Sequence, residues 1–132
     1  MRRQSKLNTP LFGVLLALLV LGCQNSTDVT VDRGVGTVTV QFVTDGSEPL
    51  EVQVPDVAVG ETLESVMRKI EDRQIEISGA GTTAFLQSID GVGNEGSKGW
   101  TFKVDGEFAT QGIGKTTLSP PTTVEWSYGE FE

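Results

Sequence analysis

Only one stretch of the chain repeats its apolar residues at helical spacing, and that limits the fold more than any other feature. Leu63, Val66, Met67 and Ile70 fall at i, i+3, i+4 and i+7, one face of a helix over Glu61–Arg73. Thr62 is placed to cap it. Glu61 and Glu64 sit near its N-terminus and Arg68, Lys69 and Arg73 near its C-terminus, as the helix dipole favours. Elsewhere the period is two. Val38, Val40 and Phe42 alternate with polar residues over Thr37–Val43, and Leu50, Val52 and Val54 do so over Leu50–Val54. Trp100, Phe102 and Val104 share one face of Trp100–Val104, and Val124, Trp126 and Tyr128 one face of Thr122–Tyr128. Ile75 and Ile77, Ala84–Ile89 and Glu107–Thr110 are further extended runs. Asp45-Gly46 marks a turn after the first strand, and Asp105-Gly106 suits a tight hairpin. One helix cannot cover a large sheet twice. The pattern therefore predicts an α+β domain over residues 37–132, a small, strongly twisted sheet wrapped around the helix.

The first 36 residues have another character. Arg2, Arg3 and Lys6 make a positive start, and Leu11–Leu21 is an apolar run of 11 residues. That is too short for a bilayer core, which takes roughly 20, and has the proportions of a secretory signal. Val20-Leu21-Gly22-Cys23 follows and resembles the lipobox of bacterial lipoproteins, in which the cysteine is lipidated and the chain is cut just before it. Cys23 is the only cysteine among the 132 residues. The expectation is a signal peptide over 1–22, a lipid anchor to the membrane at Cys23 and a flexible tether over 23–36, with a reach of roughly 20 Å. Gln24 stands where an aspartate would resemble an inner-membrane retention signal. An exported protein of the outer membrane or cell surface is expected rather than one of the inner membrane.

Composition excludes several chemistries. The chain has no histidine, which removes His-based general-base catalysis, Ser-His-Asp and Cys-His pairs and His/Cys zinc sites. No carboxylate pair stands out, so no catalytic residue, metal ligand or cofactor is assigned. The chain holds 18 acidic and 10 basic residues, and Arg2, Arg3 and Lys6 fall in the leader. The remainder carries 18 acids against 10 − 3 = 7 bases, a net charge of −11. That sign argues against nucleic acid, whose binders need lysine and arginine to displace counterions. Its simplest role is to keep an exposed domain soluble.

Three motifs look like chemistry. Gly91-Val92-Gly93-Asn94-Glu95-Gly96 fits G-x-G-x-x-G, but a strand follows where a dinucleotide site needs a helix. Ala109–Thr116 ends in Gly114-Lys115-Thr116 like a relaxed P-loop, yet runs into Pro120-Pro121 rather than a helix. Asp90, Asn94 and Glu95 are oxygen donors in a glycine-rich stretch without EF-hand spacing, and are read as turn formers in a loose loop over Asp90–Gly99.

From Val38 to Tyr128 the chain resembles the transcobalamin C-terminal-like domain, of the DUF4430 type. The residues that carry the likeness are Val59-Gly60-Glu61-Thr62-Leu63 leading into the helix, Phe85-Leu86-Gln87-Ser88-Ile89-Asp90-Gly91-Val92, and Trp100-Thr101-Phe102-Lys103-Val104-Asp105-Gly106-Glu107. Gln111-Gly112-Ile113-Gly114 and Val124-Glu125-Trp126-Ser127-Tyr128 resemble the closing elements. The resemblance implies a β-grasp-like fold, one helix packed on a twisted mixed sheet. In the animal cobalamin carriers this domain supplies half of the binding site and a helical domain the other half. It therefore implies cobalamin, another corrinoid or another small molecule as ligand. By motif match Trp100 and the turn Gln111, Gly112 and Ile113 are nearest the ligand face. Trp100 shares its strand face with Phe102, which leaves a core role equally open. A non-catalytic binding domain is the first expectation, and a structural or protein-interaction module of the cell envelope the second.

Overall fold

A computed structural model describes residues 34–131 of the chain. The signal peptide, the lipobox with Cys23 and most of the tether lie outside the described residues. Eight strands and one short helix follow: β1 (Val35–Val43), β2 (Leu50–Ala58), α1 (Leu63–Arg68), β3 (Ile75–Ser78), β4 (Phe85–Ile89), β5 (Val92–Gly93), β6 (Lys98–Val104), β7 (Glu107–Phe108) and β8 (Thr122–Glu130). They form two sheets rather than the one expected. Five strands run in the order β2-β1-β8-β6-β7, and three in the order β3-β4-β5. The larger sheet is mixed, because β1 lies parallel to β8 while its other pairs are antiparallel. The α+β expectation holds in that form.

The period-two residues do what their spacing predicts. Val38, Val40 and Phe42 on β1 and Val124 and Trp126 on β8 are buried on one face of the large sheet. Opposite them lie α1 and the inner side of β4, whose Leu86 and Ile89 join the same core cluster as Leu63, Val66, Met67 and Ile70. Burying each such aliphatic side chain contributes ~1.5–3 kcal/mol relative to exposure. The small sheet thus shares with the helix the cover that one helix could not provide.

Three local features depart from the expected pattern. β2 runs through Pro55 instead of stopping there, because an extra residue is accommodated between Val54 and Val57. Asp56 takes φ 58°, and this bulge turns both valines inward despite their odd separation. The helix is half as long as its charge pattern suggested. It ends at Arg68, with Ile70 still buried, since Glu71-Asp72-Arg73-Gln74 offers nothing to the core. The Asp90–Gly99 stretch is no loose loop. Asp90 and Gly91 both have positive φ, 49° and 81°, and form a two-residue hairpin turn between β4 and β5.

Asp105 and Gly106 make the same turn between β6 and β7, with φ 48° and 84°. Here the aspartate also anchors the start of β8. Its carboxylate accepts from the Thr122 hydroxyl at 2.6 Å and from the Thr123 amide at 2.9 Å. Those two donors hold the Asp105 carboxyl below the usual aspartate range, Thr122 contributing most. Glu61 is lowered likewise, first by Lys69 and then by the Ser65 hydroxyl and the Ala58 amide. A depressed folded pKa means that the unfolded chain binds more protons in the acid range, so stability falls as pH drops through the carboxylate range near about 4 and below. The urea midpoint is expected to fall between neutral pH and pH about 3, and Asp105→Asn to shrink that fall while lowering the midpoint at neutral pH. An unchanged pH dependence in Asp105→Asn would remove Asp105 as a contributor.

Candidate functional site

A cleft of about 170 Å³ opens beside β6, ahead of the point where that strand pairs with β7. Trp100, Phe102 and Trp126 line it together with Leu86 and Ile113. Phe85, Asn94, Gly112 and Phe131 surround them. Phe85 and Phe131 are 49% and 51% exposed, large apolar rings standing in water at the mouth. Among the described residues no ionisable side chain belongs to its lining.

Each ring has a structural reason for its place. Trp100 and Phe102 point inward from β6, and Trp126 lies across from Phe102 in the β6–β8 register. Phe102 and Trp126 pack with centroids 4.7 Å apart. Trp100 meets Tyr128 at 5.2 Å and the edge of Phe42 at 6.5 Å. Phe85 faces outward because β4 sends Leu86 inward. Phe131 lies over Gly99, where a β-carbon would strike its ring and the Asn94 side chain.

The wall carrying Gly112 and Ile113 is a strap across the start of α1. The Leu63 amide donates to the Thr116 carbonyl at 2.8 Å, the Glu64 amide to the Ile113 carbonyl at 2.9 Å, and the Ser65 amide to the Thr62 hydroxyl at 3.3 Å. Three free N–H groups of the first turn are thereby satisfied. The strap is itself braced, for Gly114 sits so close to the Gly81 backbone that no side chain fits. Gly114-Lys115-Thr116 is therefore a cap, with a bridge from Thr117 to Thr62 where a P-loop would open a helix.

The structure brings Trp100, Gly112 and Ile113 together around this cleft. Gln111 is exposed and belongs instead to a wider groove of about 620 Å³ with Phe108 and Lys115. Trp100 is only 8% exposed, its indole N–H donates to the Val92 carbonyl at 2.8 Å and its amide to Asn94 at 3.2 Å. It is a core residue with one edge in the cleft. Ile113 is buried, contributing its carbonyl to the helix and its side chain to the cleft. Sequence reasoning missed Phe85, Phe131 and Trp126 as cleft residues. Phe85 carried a signal, being out of phase with Leu86; Trp126 looked like core, and Phe131 follows the last strand. Asp90 is occupied by the Gln74 amide and Arg73, and Asn94 by Trp100 and the Leu86 carbonyl. Among the described residues no three His, Cys, Asp or Glu side chains gather into a metal-binding group.

The model of the domain of unknown function DUF4430 matches residues 60–130. The chain belongs to that family. The match takes in the helix, the small sheet and strands β6 to β8, and it begins after the β1–β2 hairpin that supplies the rest of the large sheet. No curated protein matches the sequence. Among solved structures, the DUF4430 chain is similar to a protein from Ruminococcus gnavus described as a candidate metal-binding protein, with a TM-score of 0.62 and 15% identity over 74% of this chain and 99% of that one. It is also similar to haptocorrin in complex with Cbi, with a TM-score of 0.56 and 19% identity over 74% of this chain. It spans 26% of the haptocorrin chain. At these identities the likeness is one of fold.

The structural role of Trp100 in this DUF4430 domain is open to measurement. Trp100→Phe keeps one aromatic ring but leaves the Val92 carbonyl without its donor, at a cost of about 1 kcal/mol, and adds the cost of the gap left by the lost half of the indole. A lower urea midpoint is expected, and an unchanged midpoint would show that neither the bond nor the packing of the indole contributes.

Proposed function

We propose that this DUF4430 domain is a non-catalytic binding domain, exported and held to a membrane by lipid on Cys23, that grips a small ligand at the aromatic cleft beside β6. The observation that carries the reading is the pair of exposed rings, Phe85 and Phe131, at the mouth of a cleft walled by Trp100, Phe102 and Trp126. Small-ligand sites are concave and largely apolar, with few polar groups, and large exposed apolar residues in a soluble domain mark contact surfaces. The shared fold with haptocorrin in complex with Cbi supports a corrinoid as the ligand. The sheet order β2-β1-β8-β6-β7, with first and last strands parallel and adjacent, supports a β-grasp-like reading of that fold. At about 170 Å³ the cleft takes one peripheral group of such a ligand, and the body of the molecule would lie outside it.

A second reading, a protein-interaction module of the envelope, is favoured by one further observation. Phe108, 67% exposed, and Phe131 border an open groove with Thr101 and Glu130. Tryptophan fluorescence of the protein titrated with cyanocobalamin and with cobinamide, corrected for their absorption, separates the two. Saturable quenching lost in Phe85→Ser is expected. Absence of any saturable change, with the fold intact, would overturn the corrinoid reading and favour the protein partner. For the anchor, the native protein is expected to incorporate a labelled fatty acid in cells, and Cys23→Ser to lose that label. Label retained in Cys23→Ser, or none in the native protein, would refute lipid attachment at Cys23.

A further inference from the structure

We propose that the edge of β6 between Trp100 and Phe102 docks a short extended segment of a partner protein, which pairs there as an added strand and carries a basic residue between two apolar ones. This names the partner of the second reading above, the protein-interaction module, and rests on that reading. β6 pairs with β8 from Lys98 to Val104 on one side, but with β7 only at Lys103 and Val104 on the other. The Phe102 carbonyl accepts from the Ala109 amide at 3.3 Å, and the Trp100 amide donates to Asn94 Oδ1 at 3.2 Å. Alternate residues of a strand turn their backbone groups to the same side, so both residues present theirs to the edge away from β8. Two groups on that edge, the Trp100 carbonyl and the Phe102 amide, have no partner among the described residues. They flank Thr101 and take one N–H and one C=O from an extended chain running in either direction. Unpaired edge groups are a template for another strand, and peptide-docking domains use them so. At the opposite margin of the sheet β2 is interrupted by Pro55 and Asp56 and offers no such pair in an even row.

The side chains around this edge define the segment. The cleft of about 170 Å³ has Trp100 and Phe102 in its walls, whereas the open groove of about 490 Å³ has Thr101, and Phe131 borders both. The two recesses therefore lie on opposite faces of the same stretch of β6. Side chains of an added strand alternate between the faces. The residue opposite Thr101 stands in the outer groove with Phe108 and Phe131, and its two neighbours turn toward the apolar cleft. The volume of the cleft suits a small aliphatic group there. Glu130 is the one ionisable side chain bordering either recess among the described residues, and it has no ion-pair partner there. The chain's net charge is −8. A lysine or arginine opposite Thr101 complements that charge, and an acidic residue is repelled.

The test uses the native protein labelled with ¹⁵N and the blocked peptide acetyl-Ser-Val-Lys-Val-Ser-amide. Before peptide is added, the Phe102 amide is expected to exchange with solvent about tenfold faster than the Thr101 amide, which faces β8. The peptide is expected to move the Phe102 amide proton downfield saturably and to slow its exchange. Two further peptides are N-methylated, one at the lysine and one at the valine after it. One of them lacks the N–H that the Trp100 carbonyl accepts and is expected to bind about tenfold more weakly. Slow exchange of the Phe102 amide in the protein alone would show that edge to be covered already and would overturn the inference. Unweakened binding of both methylated peptides, or a saturable shift confined to Phe108 and Phe131, would overturn strand pairing while leaving this face a protein-docking surface. A peptide with glutamate in place of lysine binding as tightly would overturn the basic class. No saturable shift with any peptide would also overturn the inference, and the corrinoid titration would still decide between the two readings of the domain.

Discussion

The parallel pairing of β1 with β8 governs the rest of the architecture. Val38 to Val43 lie beside Thr122 to Ser127, so the first and last strands of the domain are neighbours. Two parallel neighbours cannot be joined by a short turn. Everything between them, the β2 hairpin, the helix, the small sheet and β6–β7, is carried on a path that leaves the sheet and returns to it. β8 then serves two strands at once, and Trp126 stands between Phe42 on one side and Phe102 on the other. Trp126 is buried there, and the cleft opens beside it.

A helix of six residues has no independent stability, since forming the first turn fixes several residues for one hydrogen bond. Here the first turn is completed from outside by carbonyls of Thr116 and Ile113 and by the Thr62 hydroxyl. Glu64 ties the same helix to the next segment, accepting from Arg68 and from the Gly81 amide at 3.0 Å each. The strap between β7 and β8 thus fixes the helix, and through Gly112 and Ile113 it shapes one wall of the cleft. One wall of the cleft and the cap of the helix share the same backbone.

Strand and helix positions were legible in the sequence where one face is buried and the other wet. Val38, Val40 and Phe42 announce β1, and Leu63, Val66, Met67 and Ile70 announce α1, because a period of two or of 3.6 follows directly from burying one face. The two D-G turns differed in legibility. Asp105-Gly106 sat between clear strands, whereas Asp90-Gly91 was followed by more glycines that masked a two-residue strand. The division into two sheets was not legible, because period says which residues face inward and not which strand lies beside which. The cleft was half legible. Trp100 and Ile113 came from family resemblance, while Phe85 and Phe131 matter for being outside the pattern.

The bulge at Pro55–Asp56 does more than correct the phase of β2. β2 is the outer strand of the large sheet, and an outer strand offers its unused backbone groups to any other chain that comes alongside. Pro55 has no N–H to offer, and the turned-out Asp56 interrupts the row beside it. Glu51 and Gln53 add polar cover on the same strand. A chain that approaches this edge therefore meets a broken, charged margin in place of a continuous row of free donors and acceptors, which disfavours its pairing there as a sixth strand.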